Sequence, residues 1–196
     1  ETNLGDLCAD AYRALSNADI AFVNGGGIRK QIEAGDITLD DIYSVHPFGN
    51  TMCVIRVTGQ QVLDALEWGA RAVPSENGGF LQVSGLTYEI HTGVASSAEK
   101  DENGMFTRVS GEYRVKNVMV GGQPLELDKT YTLASHNYML LGHGDGYTMF
   151  DGCEVLGEDM MVDNQVLITY ITTTLGGVVG EQYANPYGDG RIVAVE

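Results

Sequence analysis

The sequence is short of basic residues, of cysteine and of long apolar runs, and each shortage excludes something. Only 11 lysines and arginines stand against 27 aspartates and glutamates, a formal net charge of -16. A field of that sign opposes polymeric nucleic acid and anionic membrane, while a small anionic ligand answers only to a few local donors. No apolar run approaches the roughly 20 residues that a membrane-spanning helix needs. The three cysteines, Cys8, Cys53 and Cys153, have neither a CxxC nor any other metal-ligand spacing. Set in apolar surroundings such as Leu7-Cys8-Ala9 and Met52-Cys53-Val54, they read as buried free thiols rather than a disulfide frame. The chain opens on Glu1 rather than Met, the mark of a processed or excised chain, so a missing export signal carries no information.

What is present fits one folded domain over residues 1–196. About 43% of the residues are apolar, enough to build a core and too many for a disordered chain. Leu4, Leu7, Cys8, Ala11 and Leu15 recur at helical spacing and predict a helix from about Asn3 to Ser16. Thr38 with Asp41, and Thr58 with Gln61, are spaced as capping boxes; they open a short helix to Ser44 and a longer one to about Val73. A further helix is expected over Val162–Leu175. Strands are expected at Asp19–Val23, Met52–Val57, Leu86–His91, Tyr113–Val120, Thr130–Ser135 and Arg191–Val195, with a mobile loop or hairpin over Thr92–Gly111. The mixture predicts an α+β domain around a mixed sheet with packed helices.

Three segments have the composition of a binding site. In Asn24-Gly-Gly-Gly-Ile-Arg29, Gly26 and Gly27 open backbone N–H groups to a ligand, flanked by an amide and a guanidinium suited to hydroxyl or phosphate oxygens. The same composition also suits a tight turn, and it lacks the spacing of a dinucleotide fingerprint. In His46-Pro-Phe-Gly-Asn50, Phe48 is either an exposed ring for stacking or a plug over the domain edge. In Ser135–Tyr147 a strand ends at Asn137-Tyr138 and a glycine-rich loop presents Asp145. A ring beside a carboxylate suits a nucleoside, base on the aromatic face and ribose hydroxyls donating to the carboxylate; a turn capped by Asp145 is the plainer reading. His136, His143 and Asp145 match no metal motif, and Ser135-His136 makes no nucleophile–base pair. No catalytic residue is identified.

These segments, in this order, resemble the C-terminal domain of the 5'-nucleotidase family, which includes ecto-5'-nucleotidases, periplasmic UDP-sugar hydrolases and bacterial 2',3'-cyclic-nucleotide phosphodiesterases. The resemblance runs through Glu1-Thr-Asn-Leu-Gly-Asp6, Asn24–Arg29, Pro47-Phe-Gly49, Phe80–Gly85, Leu127–Thr132 and Gly144-Asp-Gly-Tyr147. It implies that Phe48 and Tyr138 sandwich the nucleobase, that Asn24 contacts the base, that Arg29 faces ribose and phosphate, and that Asp145 holds the ribose hydroxyls. It also implies an N-terminal metallophosphoesterase domain with two divalent metal ions, whose Gly-Asn-His-Asp/Glu motif is missing here. The chain would then need no cofactor of its own and be inactive alone. Its partners would be a nucleoside monophosphate or related nucleotide and its own N-terminal domain, with no nucleic acid polymer and no membrane contact, in an extracellular, periplasmic or cell-surface setting. Two departures stand out: His143 occupies a position that is glycine in many relatives, and a substrate-facing arginine expected upstream of Glu1 lies outside the sequence. A non-enzymatic nucleoside-binding module is the alternative.

Overall fold

The first helix, α1 (Asn3–Ser16), starts where the Thr2 hydroxyl accepts the Gly5 N–H and stops at Asn17, which adopts the left-handed conformation that ends many helices. The computed structural model describes residues 1–196. After β1 (Ile20–Asn24) and a single turn at Gly25–Gly27, the Thr38/Asp41 capping box opens α2 (Leu39–Val45), followed by β2 (Met52–Thr58). The Thr58/Gln61 box opens α3 (Gly59–Ala70). Both boxes have side chain and backbone bonded in each direction, as their spacing predicts.

A series of strands then follows: β3 (Leu81–Ser84), β4 (Leu86–His91), β5 (Ala98–Lys100), β6 (Phe106–Val109), β7 (Val115–Val120), β8 (Gln123–Pro124) and β9 (Thr130–His136). The chain closes with the short helix α4 (Asn137–Leu140), β10 (Glu154–Gly157), α5 (Asp163–Thr169) and β11 (Ile192–Val195).

Five strands form the main sheet in the order β10-β2-β9-β1-β3, in which only β1 and β9 run parallel. Alternate residues of β1 feed two different cores. Ile20 and Phe22 pack with Leu66 and Trp68 of α3 and with Tyr88 and Val118 of the second sheet, β11-β4-β7-β8. Ala21 and Val23 pack with Leu7 and Ala11 of α1 and with Val166 and Leu167 of α5. All five residues of β1 are therefore buried, and the strand is apolar from Ile20 to Val23 rather than alternating, with Asn24 its one polar residue. The α+β expectation holds, as do most element positions.

The differences have local causes. The helix expected to reach Val73 ends at Ala70: Pro74 disfavours the helical conformation at Val73, and Arg114 donates to the carbonyls of Ala70 and Val73 at 3.2 and 2.8 Å. β7 starts at Val115 rather than Tyr113. The Thr92–Gly111 excursion contains the β5–β6 hairpin, anchored by Phe106 against Trp68 at 5.7 Å between ring centroids. The helix over Val162–Leu175 widens into a π-helical turn at Tyr170–Thr174. Asn137-Tyr138 do not extend β9: Asn137 Oδ1 accepts the N–H groups of Thr51 and Tyr138 and starts α4 instead.

Arg191, just before β11, fastens the tail to α1. It forks onto Asp10 at 2.7 and 2.9 Å and bonds Asp189 at 2.9 Å, while Glu1 accepts the N–H groups of Gly190, Arg191 and Ile192. Beside this cluster burial pushes the Asp6 carboxyl up to about 7, against the pull of Arg191.

Two consequences are measurable. Thr58→Ala removes one half of the α3 capping box and should cost about 1 kcal/mol, a fall in Tm of roughly 2–4 °C for a chain of this size; an unchanged melting curve would show the cap to be idle. Between the ordinary carboxylate value and about 7, folded Asp6 keeps a proton that the unfolded chain releases, so its contribution to stability falls as pH rises through that window. Asp6→Asn should therefore gain on the wild type between about pH 4 and about pH 7 in urea unfolding, all other titrating groups being shared. A pH-independent difference would contradict the raised value.

Candidate functional site

Strand directions bring the three segments together. Because β1 and β9 are parallel, Asn24 and His136 end side by side; because β2 is antiparallel to β9, the start of β2 lies at the same edge, with Met52 opposite His136. The Asn137 N–H donates to Thr51 O at 2.8 Å and closes that corner. β3, antiparallel to β1, brings Leu81 opposite Asn24, so the loop before it also joins the edge.

Asp145 sits at the centre. Asn24 Nδ2 donates to its Oδ2 at 2.6 Å, the Tyr138 hydroxyl to its Oδ1 at 3.3 Å, and Trp68 Nε1 to its main-chain carbonyl at 2.9 Å. The loop that presents it is tightly wound: His143 and Asp145 both have left-handed backbones, with φ of 54° and 56°. Gly144 lies under the Tyr138 ring so closely that a Cβ there would sit 2.2 Å from a ring carbon. A side chain at 144 would have to displace that ring.

Around this centre the aromatic and cationic groups are open. Phe48 is 61% and Tyr138 44% exposed. The plug at the domain edge is His46, which is buried, and Phe48 is left facing solvent. Arg29 is exposed, with its guanidinium carbon 5.8 Å from the Phe48 ring centroid. Its Nη1 donates to Gly26 O, and its own N–H to Val45 O at the end of α2, which draws the glycine turn towards the Phe48 loop.

Two expectations are changed by what the groups touch. Asn24 is only 4% exposed and both ends of its amide are engaged, one by Asp145 and the other, Oδ1, by His136 Nε2 at 2.9 Å. Both polar atoms of its amide thus meet protein groups. The Gly26 N–H is spent on Gly78 O at 2.7 Å, and that of Gly25 on Phe80 O at 2.7 Å. The glycine run is there because two chain segments meet: a Cβ on Gly26 would lie 3.0 Å from Gly78 Cα, and one on Gly27 2.7 Å from Asn24 Oδ1.

His136 and His143 do not converge with Asp145 on a metal. His143 Nε2 is bonded to Asp151, and His136 points at Asn24. His136 is 2% exposed, and burial, reinforced by neighbouring His46, brings it down to about 4; burial does the same to His46. Both rings are neutral at physiological pH. Sequence reasoning missed the supporting groups: His136, Trp68, and Arg71, whose guanidinium lies 3.7 Å from the Trp68 ring centroid. It missed the Asn77-Gly78-Gly79 turn too, although that run of turn residues was a readable signal. A cleft of about 550 Å³ lies elsewhere, between α1 and the segments around Ile32 and Val179, and its lining is mostly apolar. The candidate site is an open edge.

Comparison with known proteins agrees with this arrangement. The model of the family described as "5'-nucleotidase, C-terminal domain" matches residues 1–152. The trifunctional nucleotide phosphoesterase protein YfkN of Bacillus subtilis is 36% identical over 199 residues, covering all of this chain and 12% of that protein. A 5'-nucleotidase of Vibrio cholerae is 33% identical over 171 residues, covering 87% of this chain and 27% of the relative. The crystal structure of a 5'-nucleotidase precursor from Thermus thermophilus superposes with a TM-score of 0.82 at 32% identity, over 100% of this chain and 36% of that one. The chain thus spans little more than a quarter of the curated 5'-nucleotidase it matches, and the part it spans places it in the 5'-nucleotidase family, as a C-terminal domain.

Proposed function

We propose that this domain holds the nucleoside end of a nucleotide for a 5'-nucleotidase, a phosphoric monoester hydrolase, whose chemistry takes place outside this chain. The observation that carries the reading is the convergence on one sheet edge of the Asp145 carboxylate with the exposed faces of Tyr138 and Phe48 and the guanidinium of Arg29. Aromatic faces stack on any base, a carboxylate accepts from the vicinal hydroxyls of ribose, and a guanidinium reaches outward to phosphate. Gly26 and Gly27 shape the turn that lets Asn24 and Arg29 flank that edge, and Asn24 holds Asp145 in place. Broad base specificity follows from stacking, and ribose dependence from the carboxylate.

The donors gathered here do not suit a two-metal hydrolytic centre: one carboxylate is already bonded by Asn24 and Tyr138, and the nearest imidazole is turned onto an amide. The two divalent ions belong to a metallophosphoesterase domain N-terminal to this one, where they would activate water for attack on phosphorus. This domain is then the substrate carrier, inactive alone, with a nucleoside monophosphate or related nucleotide and its own N-terminal domain as partners. An extracellular, periplasmic or cell-surface setting fits the acidic surface and the family.

A titration of the domain with adenosine at millimolar concentration, followed by amide NMR, should shift Asn24, Arg29, Phe48, Tyr138 and Asp145. Phe48→Ala and Tyr138→Ala should each weaken binding by roughly 1–3 kcal/mol without unfolding; unchanged affinity in both would remove the stacking role. Asp145→Asn should lose most of the preference for adenosine over 2',3'-dideoxyadenosine, and a preserved preference would reject the ribose role. Joined to its metallophosphoesterase domain, the protein should release phosphate from adenosine monophosphate. Nucleoside binding with no hydrolysis by that full protein would favour a non-enzymatic nucleoside-binding module.

A further inference from the structure

The position of one proton follows from the bonds around Asn24. A carboxylate only accepts, so Asn24 must turn its Nδ2 amine to Asp145 Oδ2 at 2.6 Å. That leaves the Oδ1 carbonyl facing His136 Nε2 at 2.9 Å, and a carbonyl in front of an imidazole nitrogen requires an N–H there. A neutral ring has one N–H, so His136 Nδ1 is a bare lone pair. That nitrogen is buried with no hydrogen-bond partner. Left without a proton, it strands no donor. The ring is fixed by its neighbours: Tyr12 edge-on at 6.3 Å and Tyr138 tilted at 5.9 Å between centroids.

We infer that His136, locked as the Nε2–H tautomer, is a positioning residue that sets the Asn24 amide and, through it, the orientation of the Asp145 carboxylate that reads ribose. This rests on the nucleoside reading of the edge. Without a donor on Nε2, the Asn24 carbonyl loses its anchor behind the site, and the amide that bonds Asp145 is held from one end only. The Asp145 main chain is held separately by Trp68 Nε1. Loss of His136 therefore alters the carboxylate rather than the loop, and affects ribose recognition rather than stacking.

The test uses this chain with adenosine and 2',3'-dideoxyadenosine as probes. His136→Phe keeps ring volume against Tyr12 and Tyr138 but has no donor, and Asn24→Leu removes the relay while leaving His136 in place. In both, the wild-type preference for adenosine, about tenfold for one well-placed polar interaction, should fall towards none, and in His136→Phe the dideoxyadenosine affinity should stay the same. Independently, long-range proton–nitrogen spectra of the wild type at neutral pH should show His136 as the neutral Nε2–H tautomer. An Nδ1–H tautomer, a charged ring, or full adenosine preference in folded His136→Phe or Asn24→Leu would overturn the inference. If His136→Phe does not fold, Asn24→Leu and the tautomer decide. A wild type that binds both nucleosides equally would sink the ribose reading itself, and the tautomer spectrum would still test the relay.

Discussion

The parallel register of β1 against β9 is the constraint from which the site follows. Ile20 lies beside Leu133 and Ala21 beside Ala134, residues more than a hundred positions apart in sequence, and that pairing alone makes Asn24 and His136 neighbours. Shift the register by one residue and every side chain of β1 changes core. Phe22 would then leave the α3 side for the α1 side, where Ala21 and Val23 now fit beneath the helices. The two cores penalise such a slip, and so hold the polar groups at the strand ends in line.

Those polar groups form a chain that grows more open from one end to the other. His46 and His136 are buried and neutral, Asn24 is buried and bonded at both ends, Asp145 is half-buried, and Tyr138 and Phe48 face solvent. Ordering of this kind suits a binding edge: the groups that would meet a ligand are fixed from behind by groups that never meet it. An exposed carboxylate on a glycine-rich loop would otherwise spend much of its time in other orientations. Here the left-handed backbone of His143 and Asp145, the Gly144 contact under Tyr138 and the Trp68 bond remove that freedom before any ligand arrives. Less ordering then remains to be done on binding.

Charge is handled differently at the two ends of the fold. Around Arg191, one guanidinium serves Asp10 and Asp189 and stands 3.6 Å from Asp6, in a chain with far more acids than bases. At the candidate edge Arg29 faces solvent and is not paired with a carboxylate, while Arg71 is partly buried against Trp68. The first arrangement closes the molecule by joining its tail to its first helix. The second leaves a positive group free for an anion despite the net negative surface, since a local donor outweighs a distant field once the ligand is in contact.

The sequence by itself determined the elements with strong local signals. The 14-residue α1, the two capping boxes and the strands β2, β4 and β9 are all legible because spacing, caps and apolar runs act over a few residues. The family resemblance drew Asn24, Arg29, Phe48, Tyr138 and Asp145 into one site without any geometry. Only the tertiary structure decided what each of them touches. Whether Phe48 plugs or projects depended on His46 taking the buried position, and whether the glycines serve a ligand depended on Gly78 arriving from another loop. That Asn24 bonds a carboxylate at one end and an imidazole at the other depended on Asp145 and His136, 121 and 112 residues away. Hydrogen-bond partners are chosen by strand order and register, and these are non-local quantities that no window of sequence contains.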